Sequence, residues 1–306
     1  MQKVTVSILH YNSAQDTIDC LETLLKAEVE DYELSVYVLD NGSNDPLNID
    51  TTRYKKIDLT VERIDKNLGF TGGHNLIYER TRNDGSTLFL LLNNDSLLAE
   101  TCIKELVEAI NVENVAGVVP KIYFTKGREY HKARYDKKDL GKVIWYAGGN
   151  IDWGNIVSTH IGLDEVDSGQ FDKEESISFA TGACLLLKRD VIDDLGLFDE
   201  RYFLYYEDAD LSTKLIKNGY KLLYIPKGIV WHNNAGSSGS GSALHDYYLT
   251  RNKLIFGMKY ASPKVKILLM KEAARILLSG REWQKNAVKD YIIRKLGKGS
   301  YAPKKA

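Results

Sequence analysis

Short apolar runs alternate with amphipathic segments over the first 120 residues of this 306-residue chain. The runs that predict strands cover residues 4–9, 34–39, 59–64, 87–92 and 115–120, and the segments that predict helices cover about 12–27, 73–82 and 99–110. A chain in which strands alternate with helices folds into a parallel sheet with helices on both faces. We therefore predict an α/β fold with a Rossmann-like, mostly parallel sheet.

The second half of the chain has a less regular pattern. Aromatic residues, glycines and charges mix over residues 121–175, where we expect loops and short hairpins. Further strands are predicted over 177–188 and 221–225, the latter ending at Pro226, and further helices over 189–195, 207–218, 244–260, 264–279 and 283–296. We assign residues 1–243 to one α/β domain and residues 244–306 to a C-terminal helical appendage.

The charge and the cysteines argue against several classes of protein. A net charge of −1 gives no reason to expect nucleic-acid binding by the whole chain. Cys20, Cys102 and Cys184 lie far apart and form no CxxC pair, as a disulfide framework or a zinc ribbon would need. The N-terminus lacks a secretory signal pattern, and no apolar run reaches the ~20 residues of a membrane span. We expect a cytoplasmic protein, either soluble or at the inner face of the plasma membrane.

The C-terminal region is strongly basic. From Lys259 to Ala306 there are 13 Lys and Arg against 3 Asp and Glu. Seven apolar residues are interspersed with these charges in one predicted helix: Val265, Ile267, Leu268, Leu269, Ile276, Leu277 and Leu278. This composition is typical of a helix that lies on an anionic membrane surface. Packing on the α/β domain or in a homodimer interface is an equally good interpretation.

Polar residues, with one glycine among them, follow the first four predicted strands. They are His10, Tyr11 and Asn12 after the first, Asp40, Asn41 and Ser43 after the second, Asn67 and Gly69 after the third, and Asn93, Asn94 and Asp95 after the fourth. Ligands of open parallel sheets bind outside the carboxyl ends of the strands, where these clusters converge. Solvation explains one polar strand end, but four on one edge favour a binding site.

Asp95 and a glycine-rich loop indicate what this site binds. A carboxylate held just after a buried strand suits a hard divalent cation that bridges to a phosphate, although capping of the next helix is the simpler alternative. The loop NLGFTGGHN, from Asn67 to Asn75, offers backbone N–H groups to an anion. It matches neither GxGxxG nor GxxxxGK[ST], which argues against a dinucleotide oxidoreductase and a P-loop NTPase.

Two further groups are candidates for chemistry. Glu207, Asp208 and Asp210 lie at a predicted helix start, where acids interact favourably with the helix dipole. Adjacent Glu and Asp in a cleft also provide a base with a tunable pKa. His232 ends an apolar run before the Gly/Ser-rich stretch 236–242 and could complete a metal site built of oxygens. A lone histidine is more often structural.

In the order and spacing of its motifs the chain resembles family 2 glycosyltransferases, which have the GT-A fold. The motifs are VSILHYNS, VLDNGSND, NLGFTGGHN, LLLNNDS, TGACLLLKRDVIDDLGLFDERYFLYYEDADLSTKL and IVWH. The later YYLTRNKL makes the chain most similar to the rhamnosyltransferase branch. The resemblance covers residues 3–255 and implies that residues 1–243 are a nucleotide-sugar-binding and catalytic domain.

The resemblance implies metal-dependent, inverting sugar transfer from a nucleoside diphosphate with Mn²⁺ or Mg²⁺. Asp208 matches the general base, with Glu207 beside it. The nucleotide would be bound by Tyr11, Asn12, Asp40, Asn41, Ser43, Asn67, Gly69, Asn75, Asn93 and Asn94. Metal binding falls to Asp95 and His232, because Asn93 replaces the first acid of the family's DxD element. Trp231 and the Gly/Ser-rich stretch match a closing loop.

The resemblance also suggests the substrates. We expect dTDP-L-rhamnose as the donor and a glycan or lipid-linked glycan of cell-surface polysaccharide as the acceptor. A UDP-hexose donor is the alternative. A nucleotide-sugar-binding protein impaired in catalysis is a further reading, motivated by Asn93. A nucleotidyltransferase is less favoured, because HYNSAQD lacks the glycine-rich basic signature that such enzymes carry near residue 10.

Overall fold

The architecture described is that of a computed structural model covering residues 2–29, 32–233 and 242–302. Its strands are β1 (Gln2–His10), β2 (Tyr32–Asn41), β3 (Asp58–Ile64), β4 (Leu88–Asn93), β5 (Ser96–Leu98), β6 (Val115–Phe124), β7 (Ile144–Tyr146), β8 (Gly149–Asp152), β9 (Val157–His160), β10 (Glu175–Ile177), β11 (Cys184–Lys188) and β12 (Lys221–His232). Its α-helices are α1 (Ala14–Leu24), α2 (Gly69–Arg80), α3 (Cys102–Ile110), α4 (Arg189–Leu195), α5 (Glu207–Lys217), α6 (Ala243–Tyr260), α7 (Pro263–Ser279) and α8 (Glu282–Ile292).

One large sheet organises the molecule. Its strand order is β10-β12-β6-β11-β4-β1-β2-β3, with β5 paired to β12 and β7 paired to β6. The pairs β3–β2, β2–β1, β1–β4 and β6–β12 are parallel, and β11 lies antiparallel between β4 and β6. The predicted α/β fold with a mostly parallel sheet and flanking helices is therefore confirmed.

Strand β4 lies in the middle of the core, and its sequence explains why. Leu90, Leu91 and Leu92 are fully buried, so both faces of the strand are covered. A strand with two buried faces reads as a continuous apolar run. Helix α3 packs Cys102, Ile103, Leu106, Val107 and Ile110 into the same core. These residues recur at the three- and four-residue spacing of an amphipathic helix.

Two predicted boundaries are wrong for local reasons. Strand β12 does not end at Pro226, because the pairing with β6 shifts register between Ile225 and Ile229 and leaves the proline in a bulge. A proline in a bulge costs no ladder hydrogen bond. The segment Asn67–Gly73 is only partly a loop, since helix α2 already begins at Gly69.

The C-terminal helices pack against the α/β domain. The inward face of α7 buries Leu269 and Ala273, while Ile267, Leu268 and Leu278 are exposed. Of the stretch predicted to close over a ligand, residues 236–241 lie outside the described part of the chain, and Ser242 accepts a hydrogen bond from the N–H of His245 at the start of α6. Within the described residues, no helix combines the length and apolarity needed to cross a membrane.

Candidate active site

Strand pairing brings Asp95 and His232 together across 137 positions of sequence. Asp95 lies in the turn between β4 and β5, and Ser96 of β5 pairs with His232 at the end of β12. The Asp95 Oδ1 lies 3.0 Å from the His232 Nε2. The amide of Asn93 lies 3.3 Å from the same nitrogen. The extension of β12 past Pro226 is what delivers the imidazole to this place.

Glu207 and Asp208 form a buried acidic pair at the first turn of α5. Burial raises the pKa of Asp208 to about 6, although its carboxylate accepts hydrogen bonds from the N–H groups of Ala209 (2.9 Å) and Gly182 (3.4 Å). Burial, followed by repulsion from Asp208, raises the pKa of Glu207 well above its ordinary value. Two adjacent carboxyl groups with raised pKa values are typical of acid–base sites.

The loop that leads into this acidic pair has a strained backbone. Phe203, Tyr205 and Tyr206 all have positive φ angles of 66° to 71°, which aromatic side chains rarely adopt. Such strain persists where surrounding structure holds it and is concentrated at functional sites. We call residues 201–206 the base loop.

Two fully buried residues of α6 brace the base loop. Asn252 Nδ2 donates to the carbonyl oxygens of Tyr202, Leu204 and Tyr205 at 2.8–2.9 Å. Arg251 Nη2 donates to the carbonyl oxygens of the loop's first two residues at 3.2 and 2.9 Å. This is the structural role of the RN pair in the YYLTRNKL motif. Helix α6 is thus tied directly to the candidate base.

Asp40 is buried and holds the loop after β2. Its carboxylate accepts hydrogen bonds from the N–H groups of Ser43 and Leu47, and an ion pair joins it to Arg63 at 2.7 Å. Burial alone would raise the pKa of Asp40, but these hydrogen bonds hold it below its ordinary value. Ser43 Oγ in turn accepts from the N–H of Asn12. Hydrogen bonds therefore join the polar residues that follow β1 to those that follow β2.

A single cavity of about 1240 Å³ collects most of the predicted residues. Its lining includes ten of them: Tyr11, Asn41, Asn67, Gly69, Asn93, Asn94, Asp95, Glu207, Asp208 and His232. Asn12, Asp40, Ser43 and Asn75 do not belong to the lining. The amide of Asn75 instead exchanges two hydrogen bonds with the backbone of Phe198.

Several cavity residues were not predicted from the sequence. Trp145 and His160 come from the irregular stretch 121–175, and burial lowers the pKa of His160 to about 4. The Trp145 ring lies 4.7 Å from the ring of His232 and 4.6 Å from that of His160, between centroids. Helix α6 contributes Lys253. Lys253 lies within the YYLTRNKL motif, but nothing in that motif assigned it to the site. Neither periodicity nor a motif marks Trp145 and His160, although the density of aromatic residues and glycines around them was a usable signal.

Gly69 allows the base loop to approach the start of α2. It has a φ of +75°, and a Cβ there would lie 2.5 Å from the Phe203 ring and also meet the Phe203 carbonyl oxygen, which accepts from the N–H of Phe70 at 2.7 Å. Gly69→Ala is expected to lower the unfolding free energy by at least ~2 kcal/mol and to reduce turnover by displacing the base loop. Chemical denaturation and a turnover assay with a nucleotide sugar would measure both.

Gly85→Ala is the matched control for this substitution. Gly85 has a similar φ of +80°, but nothing lies within 4 Å of its would-be Cβ. An alanine at position 85 would therefore have the unfavourable positive φ but would meet no neighbouring atom. Equal losses of stability in the two variants, or full turnover in Gly69→Ala, would contradict the role given to Gly69.

In this mixed sheet, one cavity is thus lined by both the acidic pair and the polar strand-end cluster. The glycosyl transferase family 2 pattern matches residues 5–196. The chain belongs to this family. The matched range contains Asp95 and ends before Glu207, Asp208 and His232.

Two curated relatives are named for glycan biosynthesis. A 72-residue segment is 42% identical to an N-acetylglucosaminyl-diphospho-decaprenol L-rhamnosyltransferase of Mycobacterium tuberculosis (strain CDC 1551 / Oshkosh) and covers 24% of each chain. An O-antigen biosynthesis protein, RfbC of Myxococcus xanthus, is 24% identical over 81% of this chain and 19% of its own length. The matched part of this chain therefore covers less than a quarter of the length of each of these two relatives.

The fold is shared with a solved glycosyltransferase structure. GalNAc-T7, solved with UDP, GalNAc and Mn²⁺, superposes with a TM-score of 0.61 at 15% identity, over 95% of this chain and 57% of that one. At this identity the likeness concerns the fold alone. It agrees with the GT-A architecture that the sequence predicted.

Proposed function

We propose that this chain transfers a sugar, with inversion, from a nucleoside diphosphate to a glycan or lipid-linked glycan acceptor. The observation that carries the proposal is that Asp95 and Asp208, one from each half of the chain, line the same cavity. A nucleotide-sugar transferase needs one group near the diphosphate and another near the acceptor hydroxyl. The remaining cavity residues predicted to bind the nucleotide keep that role within this proposal.

Asp208 is the proposed base. An acceptor hydroxyl has a pKa far above neutral and must lose its proton as it attacks the anomeric carbon. The raised pKa of Asp208, about 6, makes it a stronger base than an ordinary carboxylate while it stays ionised at neutral pH. Burial also raises the pKa of the adjacent Glu207, which favours its protonated form beside the ionised Asp208.

A divalent cation is the proposed cofactor, and the residues present fit one in part. Asp95 and His232 offer a carboxylate oxygen and an imidazole nitrogen, and Asn93 offers an amide oxygen if its side chain turns. Among the described residues no group of three or more His, Cys, Asp or Glu could hold a metal. Most coordination positions would therefore belong to diphosphate oxygens and water, as is usual for Mg²⁺. When bound, the ion stabilises negative charge on the departing diphosphate.

Asp40, Asn12, Ser43 and Asn75 act indirectly in this proposal. The first three fix the loop beside Tyr11, whose exposed ring lines the cavity and would contact the nucleoside in this proposal. Asn75 fixes the start of the segment that leads to the base loop. A direct contact of Asp40 with the nucleobase would require that Asp40 break one of its hydrogen bonds or its ion pair with Arg63.

The proposed donor and acceptor are taken by analogy from the named relatives. The mycobacterial relative supports L-rhamnose as the sugar and a lipid-linked acceptor, and the relative from Myxococcus supports a role in polysaccharide biosynthesis. The UDP bound to GalNAc-T7 keeps a UDP-hexose as the second donor candidate. A cytoplasmic location belongs to the same proposal, since activated sugars of this kind would be met there.

Asp95→Ala tests the cation and donor site. We expect Mn²⁺-dependent affinity for dTDP-L-rhamnose to fall by at least ~10-fold, the loss that follows even when a residue behind a metal ligand is removed. Titration calorimetry with and without Mn²⁺ measures this, with UDP-glucose as the second donor. Asp190→Ala, an exposed acid on α4 outside the cavity, is the control. Unchanged affinity in Asp95→Ala would remove Asp95 from the site.

A further inference from the structure

Helix α7 exposes an apolar stripe beside a basic stripe. Ile267, Met270 and Leu278 are exposed, the last to 83%. Their angular positions on the helix, at 100° per residue, lie next to those of the exposed cations Lys264, Lys271 and Arg275. Glu272, the only acid of this helix, lines the cavity and is paired with Lys253 at 2.9 Å. The exposed face therefore carries an excess of positive charge.

The opposite face of α7 belongs to the candidate active site. Glu272, Ala273 and Ile276 line the cavity that also contains Asp208. Leu249 and Leu254 of α6 add apolar surface to the same lining. One helix thus separates the cavity from an apolar and basic outer surface. This arrangement suits an acceptor whose glycan must reach the cavity while its apolar carrier stays outside it.

We propose that the exposed face of α7 docks on an anionic lipid bilayer and so presents the cavity to a lipid-linked acceptor. Apolar side chains enter the interface between headgroups and acyl chains, while lysine and arginine contact anionic headgroups. The docking stands on α7 alone, whereas the presentation of the acceptor rests on the proposed function. Ile292 and Ile293, exposed beside Arg294 and Lys295 at the end of α8, have the same composition.

A second copy of this chain is a poorer occupant of the same face. A two-fold interface places the same patch on both subunits. The set Lys264, Lys271 and Arg275 would then face the same basic set of the other copy, and Glu272, the one acid of α7, is already paired with Lys253. Like charges placed opposite each other oppose association. An anionic bilayer complements both the apolar and the basic stripe.

Vesicle co-sedimentation of the full chain tests the docking. The wild-type protein should sediment with vesicles of equal phosphatidylglycerol and phosphatidylcholine, less with phosphatidylcholine alone, and less as NaCl is raised. The double variant Ile267→Glu/Leu278→Glu should lower the partition coefficient by at least ~10-fold, since it removes two apolar side chains that would be buried in the bilayer interface. Val112→Glu, at a half-exposed apolar position outside the C-terminal helices, is the matched control and should bind as wild type does.

The outcomes separate docking from transfer. Donor hydrolysis in vesicle-free buffer should be equal in wild type and double variant, because neither substituted residue lines the cavity. Failure of wild type to bind anionic vesicles, or equal binding by the double variant, would overturn the docking even if hydrolysis is intact. Light scattering that shows a wild-type dimer broken by the double variant, with no vesicle binding, would assign the face to a second copy instead.

Discussion

Replacing Asp208 with asparagine is expected to lower the rate of sugar transfer by ~10²–10⁴-fold, the contribution of a positioned base. Asparagine has the same shape but cannot accept the acceptor proton. Donor affinity should change little, because the cation that would bind the diphosphate is assigned to Asp95 and His232. A coupled assay of nucleotide release measures transfer, and calorimetry measures donor affinity. Asp190→Asn, which changes an exposed acid on α4, should leave both unchanged.

The raised pKa of Asp208 gives this prediction a pH signature. Transfer by the wild type should rise with pH through about 6 and then level off, because only the ionised carboxylate acts as a base. An acid whose pKa is higher in the folded than in the unfolded state binds more protons when folded, so its contribution to stability falls as pH rises between the two pKa values. At neutral pH, Asp208→Asn should therefore be at least as stable as wild type.

Three results would contradict the assignment of Asp208. One is transfer by Asp208→Asn at the wild-type rate. Another is a wild-type pH profile that stays flat well below pH 6. The third is a variant that loses activity only because its melting temperature falls, which would make the carboxylate structural.

Replacing Asn252 with aspartate is expected to have the second largest effect. The variant loses its amide donor to three buried carbonyl oxygens and places a carboxylate opposite them. Each unsatisfied buried group costs ~1–3 kcal/mol, so the unfolding free energy should fall by at least ~3 kcal/mol. Turnover should fall on the order of 10²-fold, because a small misplacement of a catalytic group is costly. Denaturant titration and steady-state kinetics measure the two.

A pH profile separates positioning from simple destabilisation. If the base loop relaxes, Asp208 becomes more hydrated and its apparent pKa should move down from about 6 toward the ordinary value of ~4. Loss of stability alone would lower turnover at every pH without changing the pH at which turnover is half-maximal. Asn218→Asp, where the amide makes one exposed hydrogen bond at the end of α5, is the control and should cost less than ~1 kcal/mol. An unmoved midpoint in Asn252→Asp would reduce Asn252 to a structural residue.

Local patterns were sufficient for the fold and for much of the cavity. The apolar run of β4 can only be buried on both faces, and the polar residues that follow it must then lie at the carboxyl edge of the sheet. Asn93, Asn94 and Asp95 were predicted on this basis, and all three line the cavity. Glu207 and His232 were candidates from a predicted helix start and a strand end, and the resemblance, which compares motifs in order and not in space, added their roles.

The sequence by itself determined the strand and helix alternation, because burial sets a period that each segment carries locally. It also determined which edge of the sheet is polar. Only the tertiary structure decided that β12 passes Pro226 to bring His232 to Asp95, and that Arg251 and Asn252 brace a strained base loop. Such contacts depend on register and packing between segments far apart in the chain, and no local pattern contains that information.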